Sequence, residues 1–234
     1  CKSCHFKPAG NQTYTQRFKS LSDNCNECHE DIHFGQFKPL NSEIVCLNCH
    51  QSRVPDPALD PSTPTASVEI TSFRYGPHHG PQGNMIAGSG GYEIGSGYGN
   101  SAHSNIENTC NTCHMATAYG DQAGGHNWGM TYEYHGHDEI NVAGCTDCHS
   151  NPDDLPAAVE AAAEELEDLM DQLAGILITQ GVMDSTHYAV EGTMSMNQAG
   201  GIFNYKFVEE DRSGGMHNFS YAKKLLENSI ESLQ

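Results

Sequence analysis

The chain has 234 residues, 37% of them hydrophobic, with 11 Lys and Arg against 30 Asp and Glu, and a formal net charge of −19. So acidic a balance excludes nucleic acid as a partner, because phosphate backbones need a basic footprint. The apolar runs fall far short of a membrane span, and the hydrophobic fraction is thin for a conventional core of this length.

Residues 1–50 write Cys-x-x-Cys-His three times, at Cys1, Cys4 and His5, at Cys25, Cys28 and His29, and at Cys46, Cys49 and His50. Residues 53–72 are rich in Pro, Ser and Thr and read as a surface loop. Residues 76–100 are glycine-rich around Tyr92 and Tyr98, a texture expected for close packing against a ring. Two more motifs follow, at Cys110, Cys113 and His114 and at Cys145, Cys148 and His149. Residues 75–205 carry no Lys or Arg and 17 Asp or Glu, an acidic surface that suits solubility or a contact with the less acidic ends.

The last 85 residues lack the motif. Residues 155–180 predict a helix, with Asp153 and Asp154 as candidate caps, Pro156 in the first turn and Gly181 as the stop. Leu155, Val159, Leu166, Leu169, Leu173 and Ile176 form its apolar stripe. A second helix is predicted over about 218–233, with Leu225, Leu226, Ile230 and Leu233 apolar. Residues 201–208 are expected to form a short strand at most.

The five motifs use all ten cysteines. Cys-x-x-Cys-His is the attachment signal for c-type haem: two thiols form thioethers and the adjacent imidazole binds iron. Zinc is the competing reading of paired cysteines, but a zinc site gives no reason for a His after every second Cys. Chance would produce all five on the order of once in a million. Five covalent haems in 234 residues leave too little chain to wrap each separately. The expected fold class is therefore a multihaem cytochrome c: mostly coil around a stacked haem core, a few helices, and little or no sheet. Residues 1–150 are the expected pentahaem region, and 151–234 a helical region packed on the haem stack. Thioether attachment takes place outside the cytoplasm, so an extracytoplasmic location is expected.

The motif residues His5, His29, His50, His114 and His149 are the candidate proximal ligands. Nine other His remain, namely His33, His78, His79, His103, His126, His135, His137, His187 and His217. Nine for five open positions points to His/His ligation, although eight Met offer an alternative that would raise the potential. His135, His137 and His187 read as surface or hydrogen-bonding residues.

The segments HFGQF, GPHHGPQGNMIAGSGGYE, NSAHS, CNTCHMA, GGHNW and DRSGGMHNFSYAKKLL together resemble a family of exported bacterial multihaem cytochromes c. The resemblance spans most of residues 25–230. Carried over position by position, it implies His33, His78, His103, His126 and His217 as distal ligands, with His79 the alternative to His78. Order along the chain does not say which distal His serves which iron.

The expected function is electron transfer along closely packed bis-His haems, without bond chemistry. The chain also resembles subunits of extracellular cytochrome filaments. With the first motif at residue 1, the outer face of that haem is expected to meet another copy, head to tail, on the cell surface or outside the cell rather than in the periplasm. Redox-partner cytochromes or an external acceptor complete the expected partners. The alternatives are a discrete periplasmic or surface carrier and a multihaem reductase acting on nitrite, hydroxylamine or a sulfur oxyanion. A reductase needs one open iron, often beside an altered motif, whereas all five motifs here end in His.

Overall fold

The protein was analysed as a computed structural model, described for residues 45–106 and 109–234. The chain forms two compact units, Cys1–Asn48 and Cys49–Gln234. The described part of the first is a 3-10 turn over Val45–Asn48. The motifs at Cys1 and Cys25, and His33, lie outside the described residues.

In the second unit the core is made by three helices: α3 (Leu155–Thr179), α4 (Met196–Asp211) and α5 (Phe219–Leu233). Helix α3 buries Leu166 and Leu173 of the expected stripe together with Ala174 and Leu177, while Leu155, Val159, Leu169 and Ile176 are half-buried. It ends where Gly181 takes φ 73°, a left-handed conformation that costs glycine little. Asp154 makes no side-chain capping bond, because Pro152–Asp154 forms a 3-10 turn that leads directly into α3.

Residues 201–208 are not a strand but the middle of α4. A capping box starts this helix: the Ser195 side chain accepts from the Gln198 backbone, and the Gln198 side chain accepts from the Ser195 backbone. Ala199, Ile202, Phe203, Tyr205, Phe207 and Val208 are all buried, so the helix is enclosed on most faces and shows no single stripe.

The glycine-rich stretch packs onto α4 and α5. A Cβ on Gly200 would lie 2.0 Å from the Tyr92 ring, and one on Gly91 would lie 2.6 Å from Leu225. The buried Asn204 amide accepts from the Tyr92 nitrogen at 2.7 Å and donates to the Tyr92 carbonyl at 2.9 Å. Gly200 thus makes room for the Tyr92 ring, and Gly91 for the Leu225 side chain.

Strand β1 (Ser67–Ile70) pairs antiparallel with β4 (Gly192–Ser195), with Val68 opposite Met194. The loop expected over 53–72 therefore ends in a strand, which turns Val68 and Ile70 into the core and Ser67 and Glu69 to solvent. A separate hairpin joins β2 (Thr131–Tyr134) to β3 (His137–Ile140). Its two-residue loop has positive φ at both His135 (52°) and Gly136 (83°), the conformation that tight hairpins require. Two short helices complete the unit: α1 (Gln82–Ala87) and α2 (Thr109–His114).

Candidate haem-ligand pairs

Among the described motifs, helix or turn backbone presents the cysteines and the histidine. Helix α2 is itself the fourth motif, and residues three and four apart share a helix face. Cys110, Cys113 and His114 therefore project together. The fifth motif forms one turn, in which the His149 and Cys148 nitrogens both donate to the Cys145 carbonyl, at 2.9 and 3.1 Å. Asn141 caps the 3-10 turn Val142–Gly144 that precedes it. The two motifs are packed closely, since a Cβ on Gly144 would lie 3.0 Å from the Cys113 Cα. Burial pushes the Cys113 thiol pKa up, with Cys145 and Cys148 adding to the effect, and burial also raises that of Cys145. Cys113, Cys145 and Cys148 form no disulfide. Among the described residues, no group of three or more His, Cys, Asp or Glu is gathered as a metal cluster.

Two motif histidines meet non-motif histidines. The His103 and His149 rings lie 6.3 Å apart between centroids, inclined at 62°. The His114 and His217 rings are also 6.3 Å apart, inclined at 44°. Two imidazoles bound to opposite faces of one metal, at about 2.0 Å per metal–nitrogen bond, have centroids about 6.3 Å apart. Direct ring stacking would bring them closer. Each pair thus stands at the centroid separation of two imidazoles that share one metal.

The hydrogen bonds fix which nitrogen is available. His114 Nδ1 lies 2.9 Å from the Trp128 carbonyl, His103 Nδ1 2.8 Å from the Met216 carbonyl, and His217 Nδ1 2.7 Å from the Asp211 carboxylate. These oxygens only accept, so each Nδ1 carries a proton, and in the neutral ring Nε2 keeps its lone pair. Ligating imidazoles need this arrangement, with the second ring nitrogen held by a carbonyl or carboxylate.

The local chain explains these contacts. Trp128 has φ 65°, which is uncommon for a non-glycine residue, and this conformation presents its carbonyl to His114. Gly124 permits the loop: a Cβ there would lie 2.7 Å from the Ala116 carbonyl. The buried Trp128 indole nitrogen has no hydrogen-bond partner. An orphaned donor of this kind beside a motif histidine fits a site completed by a further group. Ser101 accepts from the His103 nitrogen and so starts the 3-10 turn Ala102–Asn105 that holds His103. His217 follows Gly214 and Gly215, both at positive φ, and its nitrogen lies 3.2 Å from Ser213 Oγ.

The third motif supplies His50, whose Nδ1–H is taken by Gln82 Oε1 at 2.9 Å. His78 and His79 are both exposed and touch edge to face at 5.2 Å. His78 takes φ 64°, while His79 Nδ1 donates to Glu210 at 2.9 Å. His126 sits exposed in the loop between Gly125 and Trp128. His187 Nδ1 lies 2.6 Å from the Tyr205 hydroxyl, and His135 and His137 lie on the hairpin. Sequence reasoning missed the groups that hold the imidazoles, namely Gln82, Trp128, Glu210 and Asp211. Two signals were present: the chain has one Trp, and Glu209, Glu210 and Asp211 crowd the negative end of a helix.

Cys-x-x-Cys-His turns with opposed imidazoles define a class, the multihaem c-type cytochromes. Residues 19–186 match the family described as outer membrane cytochrome MtrC/MtrF-like, domains II/IV, and the chain belongs to that family. No curated protein and no solved structure matches it. Family membership implies c-type haem, and the ring pairs fit that group. No helix among the described residues is long and apolar enough to cross a membrane.

Proposed function

We propose that this chain is an extracytoplasmic electron carrier with five bis-His c-type haems and no substrate chemistry at iron. The observation that carries this reading is the pair of 6.3 Å ring separations, each joining a motif histidine to a non-motif one. His103 with His149 and His114 with His217 would hold two irons, with Cys145 and Cys148, and Cys110 and Cys113, as the thioether sites. His50 serves the third haem, while His5, His29, His33, His126 and one of the neighbours His78 and His79 supply the remaining proximal and distal positions assigned from sequence. Bound there, haem supplies a one-electron couple.

The chain fills the ligand positions and keeps the imidazoles oriented in both redox states. With both faces taken by imidazole, no position is left for nitrite or hydroxylamine, which favours the carrier over the reductase. Redox-partner cytochromes or an external acceptor are the implied partners. Assembly into a head-to-tail filament is the finer form of this reading. It rests on the resemblance of the sequence segments to filament subunits, and negative-stain microscopy of native material separates filaments from particles.

Mass spectrometry of the exported protein should show five covalent haems, and electron paramagnetic resonance should show low-spin ferric iron throughout. Replacing His103 or His217 with Ala should each convert one haem to high spin. A native, stoichiometric high-spin haem that binds nitrite would transfer the assignment to a reductase.

A further inference from the structure

Helix α4 ends in Glu209, Glu210 and Asp211, where the helix macrodipole places partial negative charge. An acid in that position is destabilising even at an exposed site. Asp211 is also 4% exposed, so its carboxylate has been taken from water as well. Such a residue needs strong donors, and it has two: the Ser213 hydroxyl and His217 Nδ1–H. Its neighbour Glu210 accepts from His79 Nδ1 and lies 3.3 Å from the Arg212 guanidinium.

Gln82 joins the two arrangements. Its amide nitrogen donates to the backbone carbonyls of Glu210, at 2.9 Å, and Asp211, at 3.1 Å. Those bonds fix the amide orientation, so Gln82 Oε1 is the atom that accepts from His50. One helix end therefore holds His217 directly, His79 directly and His50 through Gln82. By contrast, His103 and His114 donate to neutral backbone carbonyls.

We propose that Glu210 and Asp211 are paired positioning residues that lower the reduction potentials of two different haems. Asp211 acts through His217 on the haem of the fourth motif. Glu210 acts through His79 on the haem of the third, since His79 adjoins Gly80, where a Cβ would lie 3.0 Å from the Cys49 carbonyl and 3.5 Å from the His50 Cα. This assignment rests on the bis-His reading above, and it makes His79 the ligand and His78 its packing neighbour. A carboxylate accepting Nδ1–H makes the imidazole a stronger donor, which stabilises ferric over ferrous iron. The haem between His103 and His149 lacks this contact from His103 and serves as the internal reference.

The test is a redox titration of the intact holoprotein, followed by electron paramagnetic resonance, for the wild type, Asp211→Asn and Glu210→Gln. Each amide keeps an oxygen to accept from the imidazole and removes the charge, while its NH2 takes the place of the oxygen that faces Ser213 in Asp211 or Arg212 in Glu210. Each variant should stay fully low-spin while one haem shifts upward. The expected change is about tenfold in its oxidised-to-reduced ratio at fixed potential, or ~59 mV for one electron. Titrations in which no haem shifts, with all irons still low-spin, would overturn this inference and leave the bis-His reading standing. Wild-type protein with high-spin irons would overturn both. His79→Ala should open one iron and His78→Ala none; the reverse result would remove the role of Glu210.

Discussion

Between residues 102 and 150, which carry the fourth and fifth motifs, Ala123 is the one fully buried apolar side chain among the described residues. Between residues 155 and 234 the buried set includes Leu166, Leu173, Leu177, Phe203, Phe207, Tyr221, Leu225 and Leu226. The helical region brings its own core. The motif-bearing region is tied instead by hydrogen bonds: His114 to Trp128, Asn141 to Thr117, and Gly125 to Ala116. Net contributions of about 1 kcal/mol each do not offset the entropy of ordering so many residues. We propose that haem, besides carrying electrons, supplies the apolar core of residues 102–150.

Removing the haem should separate the two regions most sharply. Protein made without haem attachment is expected to be cleaved by protease between residues 102 and 150, while α3, α4 and α5 stay protected. Equal protection of both regions would break the comparison. Next in size is a cut into the helical core. Phe207→Ala should cost about 3–5 kcal/mol in denaturant melts, while the low-spin spectrum of the folded protein stays unchanged. Gly200→Ala should cost about 1–3 kcal/mol, because the added methyl meets the Tyr92 ring.

The smallest effect is on pH. Burial pushes the Tyr92 and Tyr205 pKa values up to about 12. The folded state therefore holds these protons after the unfolded chain has begun to release them, near pH 10. Their stabilisation should be complete below about pH 10 and lost as pH rises towards 12. Tyr92→Phe should flatten that alkaline fall in thermal melts.

The same contrast accounts for what the sequence revealed. The motifs are local and self-announcing, and so were helices 155–180 and 218–233, whose apolar residues recur at helical spacing beside a polar face. Helix α4 hid because burial on most of its faces erased the stripe, and Gly200 and Gly201 lowered its apparent helix propensity. Only Ser195 and Gln198, three residues apart, signalled its start. The β1–β4 pairing joins residues more than a hundred positions apart, and nothing in residues 67–70 points to 192–195. The pairing of candidate ligands was hidden for the same reason: His114 meets His217 across α3 and α4, and His103 meets His149 across the hairpin. Residue type identified the candidate ligands, but only tertiary structure brings particular ones together.

The most direct test of the account is an iron-edge anomalous difference map from crystals of the holoprotein. The account predicts one iron midway between His114 Nε2 and His217 Nε2, and another midway between His103 Nε2 and His149 Nε2. Iron attached at Cys110 and Cys113 with any sixth ligand other than His217, or with an open sixth position, would contradict it.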